Sequence, residues 1–450
     1  MIDSSSRAAG ARLAPAGGAA QDWRILLAIF WVTSMVEGLG VSQIFAFLPA
    51  YLSEMGVNDT DRLPFVGLFS SLIFVVGAPL VPLWGVWADK YSRKAVIVRS
   101  AVVEAVVFVA VALSREPWQL AASLLLIGLQ LGNTGVMLAG IRDVTPRARL
   151  GTAIALFGAS GPVGFAVGPA LGGLFIDGFG WSLATMFAVS SLLSVGTALL
   201  VGIGSREVRP EVVPEGRILD LAYGAIRGVL GDPSVRRIFV IFGISFLATQ
   251  MARPYIPILV ERIVGRGDGL ASGIFLVSGT AALVGALVSP VGGAIGDRIG
   301  FRPVLVAALV GGGVALGLMP LVPSLAGLAA IALVFAAMTA AVTAMVFGLL
   351  ATEIPSERRS TTLNLVYLPL YAAGILGPAA GSVVVTATGL SGPFLAGAVV
   401  FVFGALVVAL RRTAGGPATP TTVGQTSASD DVGARAARRE VGPAADSAPD

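Results

Sequence analysis

The chain has 450 residues, of which 55% are hydrophobic and 12% charged, and its mean hydropathy of +0.87 is far above what a water-soluble core requires. It contains no Cys and no His, which excludes disulfides, thiolate metal sites and imidazole as a proton carrier or metal ligand, and leaves any proton chemistry to carboxylates. The formal net charge of +4 is dispersed over short basic turns, whereas a nucleic acid needs a continuous basic surface.

Residues 1–20, rich in Ala, Gly and Ser, lack the apolar core of a cleaved signal peptide and read as a disordered cytoplasmic N-terminus, with the first helix as its own insertion signal. A membrane-spanning helix takes about 20 apolar residues, because no water is present to satisfy the backbone. Twelve such stretches follow, at 24–52, 64–87, 94–113, 118–141, 151–176, 181–204, 237–260, 270–296, 302–322, 324–351, 361–387 and 391–410. They divide into an N-terminal half, 21–204, and a C-terminal half, 237–412. Residues 205–236 alternate Arg with Glu and Asp and read as a cytoplasmic linker with a surface helix. The stretch 413–450 cannot bury enough apolar area to fold and reads as a disordered cytoplasmic tail.

Ionisable groups inside spans are expensive and are the first candidates for function. In the first span, Glu37 lies about 20 Å of helix rise beyond Arg24 and has no cation one turn away. It is the leading candidate for proton coupling or recognition of a cation. Glu104, halfway along the third span and five residues past Arg99, is a second. The fourth span carries Gln130, Asn133 and Thr134, which are candidates to line a substrate path. In the fifth, Gly164, Gly168 and Gly172 form a stripe that lets a neighbouring backbone approach closely, with Gly173 after it and Pro169 bending the helix. The seventh carries Gln250 and Arg253 immediately before Pro254, near the expected outer end of a cavity.

The two halves are copies. Pro82, Gly85, Asp89 and Lys90 recur 208 residues later as Pro290, Gly293, Asp297 and Arg298, and Lys94 is matched by Arg302. Pro49 maps onto Pro257 at the same offset, and at 209 Pro146 maps onto Pro355, Gly168 and Pro169 onto Gly377 and Pro378, and Gly172 onto Gly381. With both termini inside, 25 of the 30 basic residues fall on the cytoplasmic face, Arg99 among them, leaving Arg62, Arg115, Arg262 and Arg266 outside and Arg253 in a helix. That bias predicts a multi-pass protein of the cytoplasmic membrane.

Gly85-x-x-x-Asp89-Lys90-x-Ser92-Arg93-Lys94 resembles the signature loop of the major facilitator superfamily, with Gly293-x-x-x-Asp297-Arg298-x-Gly300-x-Arg302 as its second copy. Gly164-x-x-x-Gly168-Pro169-x-x-Gly172-Gly173 resembles the sequence that marks that superfamily's antiporter branch. The resemblance implies an all-α integral membrane fold of twelve transmembrane helices in two pseudo-symmetric six-helix bundles, with the site near the midplane between them, and a monomer that suffices for transport. It implies that Asp89 latches the halves together on the cytoplasmic side, that Arg93 pairs with Asp143 at the end of the fourth helix, and that the fifth helix lies at the interface that opens and closes. Phe301 stands where the first copy has Arg93, so the second latch is expected to be simpler. The Arg that antiporters commonly carry in the fourth helix is absent from Gly128-Leu129-Gln130-Leu131-Gly132, so coupling through Glu37 needs another partner.

No phosphate-binding lysine loop, zinc-ligand set or nucleophile elbow is present, so the reading is a transporter and not an enzyme, without cofactor or metal. Its partners are then a small-molecule substrate, protons and membrane lipid. The leading function is proton-coupled efflux of amphipathic or cationic drug-like compounds, with Phe30, Trp31, Phe45, Phe47, Tyr255, Tyr367 and Tyr371 as candidate cavity aromatics. The alternatives are an uncoupled exporter or facilitator of a polar metabolite such as a sugar, and a transport-inactive receptor or scaffold.

Overall fold

The structure, a computed structural model, describes residues 21–210, 213–231, 233–353 and 367–410. The expected terminal segments 1–20 and 413–450, the start of the eleventh stretch at 361–366, Pro355 and the side chain of Tyr367 lie outside the described residues.

Twelve helices among the described residues are long and apolar enough to span a membrane: Trp23–Glu54, Asp59–Lys90, Arg93–Leu113, Pro117–Val144, Arg147–Gly178, Leu183–Gly204, Val235–Val264, Leu270–Ile299, Phe301–Leu321, Leu325–Leu350, Leu368–Thr388 and Gly392–Leu410. They are numbered here first to twelfth, and the bundle is all-α. Side chains start the helices where the backbone donors are unpaired: Asp22, Asn58, Ser92 and Ser182 each accept from the first turn of the helix that follows. An even number of crossings brings the chain back to the end of the bundle it entered, called here the terminal end. The other end, with the turns at Met55–Asn58 and Gly265–Gly269, is the remote end.

The first helix packs on the fifth, the third on the sixth, the seventh on the eleventh, and the eighth and ninth on the tenth. Between halves the second helix packs along the eleventh and the fifth against the eighth. The sequence repeat is reproduced atom by atom in this packing. A Cβ at Gly168 would meet Leu39 O at 2.6 Å and the Ser42 side chain, and one at Gly377 would meet Leu247 O at 3.0 Å and Gln250 Cβ at 2.7 Å. Gly172 lies on the ring of Phe47 and Gly381 on that of Tyr255. Leu39, Ser42 and Phe47 are 208 residues before Leu247, Gln250 and Tyr255, so each half uses the same two glycines to seat one helix on its mate.

The linker helix Ile218–Leu230 packs on the terminal end of the second helix, where Tyr223 Oη donates to Pro79 O at 2.7 Å. Ala222 is buried there, while Asp220 and Arg227 are exposed, as on an amphipathic surface helix.

Candidate functional site

The fourth helix is broken at its centre. It runs regularly to Ile127, tightens over Gly128–Gln130, becomes extended at Leu131, and restarts at Asn133 after Gly132, whose φ of 100° is open to glycine at little cost. Unwinding frees carbonyls that a bilayer cannot satisfy, and the third helix satisfies them. Arg99 donates to Gln130 O at 3.2 Å and to Leu131 O at 3.1 Å, and Ser100 Oγ donates to Gln130 O at 2.7 Å. The Arg99 guanidinium lies 3.8 Å from the centre of the Trp84 ring. Arg99 is therefore not the loop residue that charge counting made it; it turns into the bundle. It puts a cation at the fourth helix from the third, where the antiporter pattern has one in the fourth helix itself.

Glu37 and Asn133, named separately from the sequence, are brought together. Asn133 Nδ2 donates to Glu37 Oε1, both residues are buried, and the Arg99 charge acts on Glu37 through space. Asn133 opens the half-helix Asn133–Val144, so Glu37 is tied to the segment just past the break. Gln130 is buried with its side-chain oxygen unpartnered among the described residues. Glu104 is wholly buried against Gly40 and Phe108 of its surroundings, and neither carboxylate oxygen has a hydrogen-bond partner among the described residues.

A cavity of about 240 Å³ lies between the halves, lined by Ser42, Phe45 and Phe165 of the first half and by Thr249, Arg253 and Phe335 of the second, among others. Among the described residues that line it, Arg253 alone is charged. Neither Glu37 nor Gln130, Asn133 or Gln250 lines it, so the buried carboxylate expected to attract a cation sits about 8 Å of helix rise from Ser42, inside the first half. Of the seven aromatics proposed from the sequence, Phe45 lines this cavity. Phe30 packs on Gly140, Phe47 on Gly172, Tyr255 against Gly381, and Tyr371 against Phe74, with centroids 6.4 Å apart. Phe165 and Phe335 went unremarked because their spacing does not distinguish a cavity wall from a lipid face.

At the terminal end, Arg93 donates to Asp89 Oδ1 at 3.0 Å and to Asp143 Oδ2 at 2.7 Å, so the acid expected at the end of the fourth helix is its partner. Both bonds stay within the first half. Glu207 of the linker adds to this cluster by accepting from Ser92 Oγ and from Arg93 N at 2.8 Å, while Lys90 Nζ donates to Gly216 O and Lys94 Nζ to Ser205 O. Nothing in the motif pointed to Glu207, because it is over a hundred residues away in the chain. In the second copy Asp297 and Arg298 are exposed, and the Phe301 ring is pressed into the notch at Gly348 of the tenth helix. A ring in a glycine notch thus stands where the first copy has an ion pair.

The remote end is locked across the halves. Arg62 donates through Nη1 to Glu261 Oε2 at 2.9 Å and through Nη2 to Glu261 Oε1 at 2.8 Å, and its Nη1 also reaches Ser53 Oγ at 2.7 Å. Arg266 donates to Glu261 Oε1 at 2.6 Å and pairs with Asp59. These two carboxylates shift the exposed Arg266 guanidinium above its ordinary value, chiefly through the Glu261 bond. Arg62 and Glu261 are 4% and 9% exposed, so two residues counted as loop charges form a buried fork that joins the halves. Ser53 and Glu261 are repeat equivalents, which is why one Arg reaches both.

The Major Facilitator Superfamily family model matches residues 26–287 and 238–441. The Multidrug resistance protein MdtG of Citrobacter koseri is 31% identical over 294 residues, covering 64% of this chain and 70% of that protein. That of Yersinia enterocolitica is 30% identical over 308 residues, covering 67% and 71%. Among solved structures, the nucleoside transporter NupG matches with a TM-score of 0.74 at 13% identity, over 86% of this chain and 100% of the other. A bacterial homologue of the human lysosomal transporter Spinster matches with a TM-score of 0.71 at 15% identity, over 87% and 97%.

Proposed function

This chain belongs to the major facilitator superfamily and is a secondary transporter, and we propose on that premise that it exports small amphipathic, drug-like compounds in exchange for protons. Export is supported by the similarity to multidrug resistance proteins and by a mostly apolar cavity between the halves, with Ser42, Thr249 and Ser278 as its neutral hydroxyls. A sugar would ask for more hydrogen-bonding side chains than these. Both termini are cytoplasmic in this reading, so the locked remote end faces outward.

The observation that carries the coupling is the bond between Asn133 and Glu37 across the broken fourth helix. The half-helix Asn133–Val144 holds Glu37 at one end and, through Asp143, Arg93 at the other. When Glu37 is charged, Asn133 donates to it, and Arg99 offsets the charge. When Glu37 takes a proton it is a poorer acceptor, and the half-helix is free to turn, which moves Asp143 relative to Arg93 and Asp89. Protonation in the membrane is thereby converted into rearrangement of the loop that closes the cytoplasmic path.

The test is substrate-driven proton release from proteoliposomes carrying an internal pH dye, with a panel of amphipathic compounds of either charge. The native chain should release protons, and Glu37→Gln should still bind compound but release none. Equal proton release from both would remove Glu37 from coupling.

A further inference from the structure

Among the described residues, the inter-half cavity has one charge, and it is positive. Arg253 lies in the seventh helix where Pro254 interrupts it, and its guanidinium lies between two rings of the other half, 4.6 Å from the centre of Phe45 and 4.7 Å from that of Phe165. Phe45 is the residue 208 positions before Arg253, so equivalent positions of the two copies face each other across the pseudo-twofold axis. A ring stacked on a guanidinium occupies its face and leaves its N–H groups, which lie in the plane, free to bond along the edge.

Only one of those donors has a partner among the described residues: Nη1 reaches Gln250 Oε1 at 3.3 Å. No described Asp or Glu lies within ion-pair distance of Arg253, and none lines the cavity. The contrast with the other inward-turned arginines is informative. Arg62 spends its charge on Glu261, and Arg99 spends two donors on backbone carbonyls while its remaining nitrogens are sealed. Arg253 has no sealed, unbonded nitrogen, so its free donors open onto the cavity. An uncompensated cation at the apolar centre of a membrane protein is costly, and an anionic occupant repays that cost.

We propose that Arg253 is the specificity-determining group of the substrate cavity, and that the transported compounds are amphipathic organic anions whose carboxylate, sulfonate or phosphonate docks on the guanidinium edge while the apolar body rests on Phe165, Phe335 and Met319. This rests on the cavity being the transport site. It keeps the amphipathic half of the expectation and departs from the cationic half, which was argued from Glu37, a residue that does not line this cavity.

The experiment compares two probes with one aromatic body, 2-naphthoate and 2-naphthylmethylammonium, binding to the full-length chain in nanodiscs of zwitterionic lipid with no pH gradient. The native chain should bind naphthoate at least about tenfold more tightly, since a hydrogen bond to a charged group is worth roughly a factor of ten or more. Arg253→Gln should remove that preference while leaving ammonium binding unchanged or stronger. Arg253→Lys, which keeps the charge but loses the fork, should fall between, and it serves as the readout if the Gln variant does not fold. Tighter ammonium binding by the native chain, naphthoate binding insensitive to both substitutions, or binding of neither probe would overturn the proposal. Because no gradient is imposed, such a result leaves proton-linked export standing, and failure of proton release in the Glu37→Gln comparison leaves anion recognition standing.

Discussion

Arg99 shows how much one side chain can carry that its sequence position conceals. It stands two turns into the third helix, near enough to Arg93 and Lys94 to be counted with the loop, and only the break in the fourth helix gives it its partners. Replacing it with Met would leave the carbonyl of Leu131 without its donor inside the bilayer, while Gln130 O keeps Ser100 Oγ, at about 1–3 kcal/mol for the buried unpaired group, and would leave Glu37 without a cation nearby. Arg99→Met should therefore lower thermal stability and abolish gradient-driven transport. Arg99→Lys, with a point charge that satisfies fewer acceptors, should keep part of both. Transport unchanged in the Met variant would show that Glu37 works without it. The residues legible from sequence at this scale were those whose chemistry is anomalous in a membrane: Glu37, Glu104 and Arg253 stand out because a charge in hydrocarbon needs a reason. Their partners were not legible, because Asn133 lies 96 residues from Glu37 and a hydrogen bond between helices leaves no trace in local spacing.

The elements were readable to within a few residues, because each span announces itself by its length of apolar sequence and because the repeat checks one half against the other. What the pattern does not record is where a helix stops being a helix. Gly128 and Gly132 resemble a packing pair, and Gly132 instead takes a left-handed turn that no apolarity profile contains. The fifth helix was expected at the interface between the halves, and there it packs on the eighth helix and lines the cavity with Phe165 and Pro169; Gly164, Gly168 and Gly172 instead face the first helix within their own half, while Gly173 meets Ser272 of the second. A Cβ at Gly164 would come to 2.8 Å of Leu39 N and would press on Met35 O, backbone atoms that cannot turn aside. Gly164→Val should thus push the first helix off the fifth and destabilise the first half by more than the 1–3 kcal/mol typical of overpacking, seen as a lower melting temperature of the purified chain. A substitution at Gly158, where a Cβ meets nothing within 4 Å, should leave it unchanged. If both substitutions behave alike, the glycine stripe is not a packing contact.

Taken whole, the molecule is held asymmetrically. Its remote end joins the halves with a buried, bidentate ion pair, and at its terminal end the Arg93 ion pairs with Asp89 and Asp143 lie within the first half. An alternating-access transporter must break the first set of contacts and form others at the opposite end, so the Arg62–Glu261 fork sets how far the equilibrium leans toward the state described. Glu261→Gln leaves Arg62 with a neutral acceptor and the exposed Asp59, and losing the buried partner of the pair costs up to about 3–5 kcal/mol in the state where the pair is closed. The open state, where the same groups reach water, is hardly affected, so the substitution shifts the balance toward opening at the remote end. The absence of native cysteine makes this directly readable. A single cysteine at Thr249, on the cavity wall, should react slowly with a membrane-impermeant maleimide added to the outside of intact cells, and tenfold or more faster when Glu261→Gln is added. The double replacement of Arg62 and Glu261 by Met and Leu should react less readily than Glu261→Gln alone, because a packed apolar pair restores the closed contact without a charge left unpaired. Equal labelling of all three chains would mean that the fork accompanies closure without controlling it.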